Sequence, residues 1–292
     1  MTELLGLVIA SFFVTSFLLI PFIDYLFSLK SKRRKLLEQS KAHDVNTPIH
    51  NQLLAGKDVD VPVGGGILVI IVVTILSIAT LLITKHAIGN TIFILVFTLL
   101  SFGAIGLLDD LKKIFASFSG KYAGVRGRYL LLLQVIFAVI ISIFLYLAFG
   151  LNNLYIPILG NIDLGLWYIP LAVFTIVSFA NAINISDGLD GLSCGLLTIC
   201  LFAFMALAHA VFDIDLATFV GLWIGSLIAY LYFNIFPARI YLGDAGAYGF
   251  GATLAVTGLL TGKILGLGVI GGVFVIIIAS SLIQIFSKRF LQ

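Results

Sequence analysis

Charge is what this sequence has least of. Only 11% of its 292 residues are Asp, Glu, Lys or Arg, and 61% are hydrophobic. A soluble domain carries roughly 25% charged and roughly 45–50% apolar residues, so a soluble enzyme and a disordered chain are both excluded. Cysteine is scarce too. Cys194 and Cys200 lie on or beside one apolar run, which excludes a disulfide scaffold and reads as inert packing. No basic segment precedes the first apolar run, so that run reads as a span and not as a cleavable signal peptide. Nothing resembles a nucleic-acid-binding module, and no nucleic acid is expected as a partner.

What remains is a multi-span membrane protein, with a mean hydropathy of +1.17 and a lipid bilayer as its solvent. A helix needs about 20 largely apolar residues to cross. Charge-free windows run over 4–23, 61–84, 86–108, 129–162, 164–186, 191–212, 216–238, 245–262 and 264–287. The fourth window ends in LNNLYIPILGNI and reads as span plus loop. The expectation is an all-α polytopic bundle of nine transmembrane helices in a single domain over 1–292. Numbering the side reached after the first span as inside, 15 of the 17 basic residues fall there and only Lys85 and Lys263 fall outside. By the positive-inside rule that face is cytoplasmic, with the N-terminus outside and the protein in a bacterial inner membrane.

Three segments on the basic face carry clustered polar residues. LLDDLKK closes the third span with Asp109 and Asp110, followed by Lys112 and Lys113. Adjacent carboxylates at a membrane edge are costly unless a cation neutralises them, and a divalent metal with phosphate is one such solution. A helix-end charge cluster is the alternative. NAINISDGLDGL (181–192) sets Asn181, Asn184, Asp187 and Asp190 at steps of three, which on a helix is one face; a polar turn needs fewer such residues. FNIFPARIYLGDAGAYGFGA (233–252) presents Asn234, Tyr241 and Asp244, the last between glycines, as a phosphate site or as an ordinary tight turn. Together, five aspartates on three loops of one face suggest a site for a phosphorylated, metal-bearing substrate. Every span centre is free of charge, which argues against a channel or carrier.

In this order and spacing, LLDDLKK, NAINISDGLDGL and YLGDAGAYGFGA resemble the polyprenyl-phosphate N-acetylhexosamine-1-phosphate transferase superfamily, glycosyltransferase family 4. Within it the chain most resembles the family of phospho-N-acetylmuramoyl-pentapeptide transferases, supported by IPILGNIDLG (156–165) and VIGGVFVIIIASSLIQIFSKR (269–289). The resemblance implies a reaction in peptidoglycan biosynthesis: UDP-MurNAc-pentapeptide and undecaprenyl phosphate give lipid I and UMP, with Mg2+ as cofactor. It implies that Asp244 is the Mg2+ ligand, that Asp109 deprotonates or positions the lipid phosphate with Asp110 beside it, and that Lys113 lies near the phosphates. Asn184, Asp187, Asp190, Asn234 and Tyr241 would line the nucleotide pocket, Tyr241 stacking on uracil where the family usually has Phe. A sister enzyme that uses UDP-GlcNAc is the alternative, and a homodimer is compatible with either.

The sequence departs from the family at several points. Val61-Pro62-Val63-Gly64-Gly65-Gly66 lacks the usual hydroxyls, Asp58 replaces a lysine with Lys57 adjacent, and Leu130 stands where lysine is common. The family has ten spans and a histidine-rich loop near the end. His43, His50, His86 and His209 are the histidines here, none near that place, so the sequence reads as a family member shortened at its C-terminus, with little or no turnover expected and an inactive remnant as the extreme. Gly266, Gly268, Gly271 and Gly272 suggest close helix approach in the last span.

Overall fold

The computed structural model describes residues 2–40, 61–84, 89–118, 125–157, 160–210 and 213–290. Lys57, Asp58, His43, His50 and His86 lie outside the described residues. The chain is a helical bundle: α1 (Thr2–Ser40), α2 (Gly65–Thr84), α3 (Asn90–Phe118), α4 (Gly127–Phe149), α5 (Tyr168–Ser186), α6 (Leu192–Ala210), α7 (Ile214–Asn234), α8 (Gly243–Leu260), α9 (Ile264–Ile270) and α10 (Gly272–Phe290). Each apolar window contains a helix, because a backbone in lipid must satisfy its own hydrogen bonds. Local signals set the ends. Gly150, at φ 63°, closes α4 in the left-handed conformation that favours glycine. Asp213 opens α7 by accepting the Leu216 N–H at 2.9 Å, satisfying one orphan donor.

Three features differ from the sequence expectation. Among the described residues seven helices are long and apolar enough to cross a membrane, or eight if a bent pair counts as one span, not nine. The window 245–262 forms α8, but this helix is rich in Gly, Ala and Thr and almost entirely buried. It is walled by protein, so it needs little apolarity of its own. The window 264–287 is not one straight span; it breaks into α9 and α10 at an 87° bend, centred on Gly271. Of the four glycines expected to give close approach, Gly271 abuts the Phe179 ring, whereas Gly268 and Gly272 face open space. Finally, the loop after α4 is an antiparallel hairpin of β1 (Asn153–Ile156) and β2 (Gly160–Asp163), pairing Asn153 with Asp163 and Ile156 with Gly160.

The packing centres on α8, which lies against α3, α5 and α2, while α1 lies along α7. Small residues permit this closeness. A side chain at Gly66 would strike Gly246, and one at Gly106 would strike the Asp244 backbone, so α2 and α3 both meet α8 at backbone contact. The α1–α7 contact is also polar: Ser11 and Ser226 share a hydrogen bond of 2.6 Å, and Thr15 donates to Ser226 at 2.9 Å.

Candidate active site

Asp109, Asp110 and Lys113 lie on the last turns of the apolar part of α3, three to seven residues past Gly106. Because Gly106 lets α3 touch the start of α8, these side chains meet Asp244 in the first turn of that helix. The Asp109 side chain is buried, only 6% exposed. Its Oδ1 accepts the Val125 N–H at 2.7 Å and its Oδ2 meets the Lys113 Nζ at 2.9 Å. Lys113 also pairs with the Asp244 Oδ2. One ammonium thus bridges carboxylates from two helices and offsets their charge. Asp110 accepts the Ala245 N–H at 3.2 Å. It caps α8 from a neighbouring helix, where no side chain of α8's own flank does so, and the positive helix N-terminus favours its charge.

The asparagine-aspartate row divides. α5 ends at Ser186, so Asn181 and Asn184 lie on the helix, Asp187 closes it, and Asp190 belongs to the following turn. The row is therefore not one helical face. Asn181 turns away, donating to Gln134 Oε1 at 2.7 Å and to the Val177 carbonyl. Asn184 faces α8 and donates to the Tyr248 Oη at 3.1 Å. The Asp187 carboxylate makes no hydrogen bond or ion pair with the described residues, and burial, reinforced by the charges of Asp244 and Asp110, pushes it up to about 7. Asp190 accepts the Ala238 N–H at 3.1 Å. Asn234, buried at the end of α7, accepts from the Gly191 N–H at 3.2 Å and donates to the Ile240 carbonyl at 3.0 Å. Asp190 and Asn234 thus tie the 187–191 turn to the 235–242 connection.

Tyr241 is held by backbone alone. Its N–H donates to the Pro62 carbonyl at 2.9 Å, and its carbonyl accepts from Gly64 and Gly65 at 3.0 and 2.9 Å. The segment whose hydroxyls are missing therefore contributes through its main chain, clasping the connection that leads into Asp244 and leaving Tyr241 39% exposed. Gly243, at φ 80°, makes the turn from that connection into α8, a conformation that favours glycine.

The structure thus brings Asp109, Asp110, Lys113 and Asp244 into one cluster, sets Asp187 within its electrostatic reach, and joins Asp190, Asn234 and Tyr241 through the adjoining loops. Sequence reasoning passed over Gly106, Tyr248 and the Val125 N–H. Gly106 stands three residues before Asp109, and Tyr248 four after Asp244, so helical spacing carried a signal for both. Arg128 lies over the Tyr129 ring at 5.1 Å and Leu130 is buried.

The donor set is oxygen-rich, which suits a hard cation. Among the described residues no three His, Cys, Asp or Glu side chains form a ready metal cage. Mg2+ is commonly held by one or two carboxylates completed by substrate phosphates and water, and a carboxylate set of this kind fits it. An apolar groove of about 710 Å³ runs between α4, α5 and α10, lined by Leu131, Val135, Phe174, Ile185 and Ile278 among others, with Asn181 on its wall.

Comparisons with known proteins identify the family. The model of glycosyl transferase family 4 matches residues 91–262, which hold Asp109, Asp110, Lys113, Asn184, Asp187, Asp190, Asn234, Tyr241 and Asp244. Proteins named phospho-N-acetylmuramoyl-pentapeptide-transferase are similar over most of the chain. That of Geobacillus sp. is 32% identical over 97% of this chain and 82% of its own length. That of Lactiplantibacillus plantarum is 33% identical over 97% and 84%, and that of Thermodesulfovibrio yellowstonii 30% identical over 95% and 77%. On its motifs, its helical bundle and these matches, the chain belongs to glycosyl transferase family 4.

Proposed function

We propose that this chain is a phospho-N-acetylmuramoyl-pentapeptide transferase that makes lipid I. In the reaction, an oxygen of undecaprenyl phosphate attacks the sugar-linked phosphorus of UDP-MurNAc-pentapeptide. The bond between that phosphorus and the bridging oxygen breaks, and UMP leaves carrying that oxygen. The observation that carries this reading is the junction of Asp109, Asp110, Lys113 and Asp244 in one cluster, in a bundle that also carries an apolar groove. The groove suits a polyprenyl chain, and the charged cluster suits two phosphorylated partners.

Phosphoryl transfer asks mostly for positioning and charge neutralisation. Asp244, with Asp187 beside it, would hold Mg2+, which supplies charge neutralisation at the phosphates when bound. Lys113 already bridges Asp109 and Asp244 and would turn toward the incoming phosphates. Both oxygens of Asp109 have partners, which favours the positioning role over that of a base. Tyr241 offers a half-exposed ring for uracil, and Asp190 lies on the adjoining turn. The basic face is read as cytoplasmic, in a bacterial inner membrane, because 15 of 17 basic residues fall on it.

The test is UMP release by the purified protein with undecaprenyl phosphate, Mg2+ and either UDP-MurNAc-pentapeptide or UDP-GlcNAc. Release with the muramoyl donor alone supports the proposal. Release with UDP-GlcNAc alone assigns the sister reaction, and release with neither donor would overturn the proposal.

A further inference from the structure

A second pocket lies away from the acidic cluster, between α1 and the end of α7, with a cavity of about 500 Å³. Ile20, Ile23, Asp24 and Phe27 line it from α1. Their spacing puts them on one helix face, so Asp24 stands in an otherwise apolar stripe. It also lies within the Glu3–Lys30 span, and an ionisable side chain in a span calls for a partner or a function. Across the pocket stand Arg239 and Tyr232. Among the described residues no ion pair joins Asp24 to Arg239, and Arg239 pairs with none of the site carboxylates. One acid and one base thus share a cavity with apolar walls at the basic face of the membrane, without neutralising each other.

We propose that this pocket binds a zwitterionic phospholipid headgroup of the phosphoethanolamine type. Its phosphate would meet Arg239 and the Tyr232 hydroxyl, its ammonium would meet Asp24, and an acyl chain would follow Ile20 and Ile23. A charged pair separated by a polar ligand is satisfied at both ends, which a purely anionic headgroup cannot do beside Asp24. The proposal does not depend on the transferase reading, and its test involves no turnover.

The experiment is native mass spectrometry of the purified full chain in micelles with equimolar dioleoyl phosphatidylethanolamine, phosphatidylglycerol and phosphatidylcholine. The ethanolamine lipid should be retained over the other two. Asp24→Asn and Arg239→Gln should each lower its retention about fivefold, the factor that corresponds to about 1 kcal/mol per charge at a membrane surface. The ethanolamine-choline contrast in the unmodified protein decides the matter even where a variant folds badly, since a trimethylated head cannot donate hydrogen bonds to Asp24. Equal retention of the three lipids, retention indifferent to both substitutions, or displacement of the bound lipid by undecaprenyl phosphate would overturn the proposal.

Discussion

Tyr248 shows how one hydroxyl can join two walls of a site. Its Oη accepts the Asn184 amide at 3.1 Å, and its ring is buried four residues beyond Asp244 on α8. Tyr248→Phe leaves the Asn184 amide without that acceptor. Loss of a buried hydrogen bond costs about 1 kcal/mol, so thermal unfolding should shift down by that amount, with KM for the nucleotide sugar raised and kcat changed less. Asp187 gives a pH signature. Its ordinary value is 3.8 and burial beside Asp244 and Asp110 raises it to about 7, so the folded protein holds this proton more tightly than the unfolded chain. The stability it contributes is present below about pH 4 and is lost as pH rises through about 7. In metal-free buffer the unfolding temperature should fall over that interval, and Asp187→Asn should flatten the fall. An unchanged slope in the variant would remove Asp187 as its source. The five aspartates were legible in the sequence because each sits in a short polar motif that an apolar span cannot explain. Gly106 and Tyr248 carried only the weaker signal of helical spacing from Asp109 and Asp244, because a glycine or an aromatic in an apolar run otherwise has the same appearance whether or not it touches a site.

At the scale of the elements, the site depends on how closely helices approach. A side chain at Gly106 would collide with the Asp244 backbone, and one at Gly66 with Gly246. Gly106→Ala should therefore force α3 away from α8, cost about 1–3 kcal/mol as overpacking does, and reduce turnover more than stability, because the Asp109–Lys113–Asp244 bridge spans that contact. Thermal unfolding and UMP release in the same preparation test this; wild-type values of both would show the contact to be soft. The elements also explain where hydropathy misleads. It marks the apolar run 264–287 but not its 87° break, since a glycine pair is as apolar in a window average as a continuous helix. The charge-free window 245–262 overstates α8 as a lipid-facing span, because a helix of Gly, Ala and Thr carries few charges and is nonetheless covered by protein. The spacing of Asn181 through Asp190 suggested one face only while the helix was taken to continue past Ser186.

For the whole molecule, one bundle carries both a charged cluster and an apolar groove, the two kinds of surface that a nucleotide and a lipid-borne phosphate would each need. The 187–191 turn and the 235–242 connection, tied by Asp190 and Asn234, should respond together to the nucleotide. Both should gain protection in hydrogen exchange with a UDP-sugar and not with the corresponding ADP-sugar; equal protection by the two would argue against a uracil pocket beside Tyr241. The central claim is that the carboxylates around Lys113 perform metal-assisted transfer, and it rests most directly on Asp244. The decisive measurement is UMP release from UDP-MurNAc-pentapeptide and undecaprenyl phosphate by the wild type and by Asp244→Asn, each with and without Mg2+. The wild type should release UMP only with Mg2+, and the variant should lose about 100-fold or more of that release, the scale of removing one charge-stabilising group from an active site. Release by Asp244→Asn at the wild-type rate, or wild-type release indifferent to Mg2+, would contradict the claim.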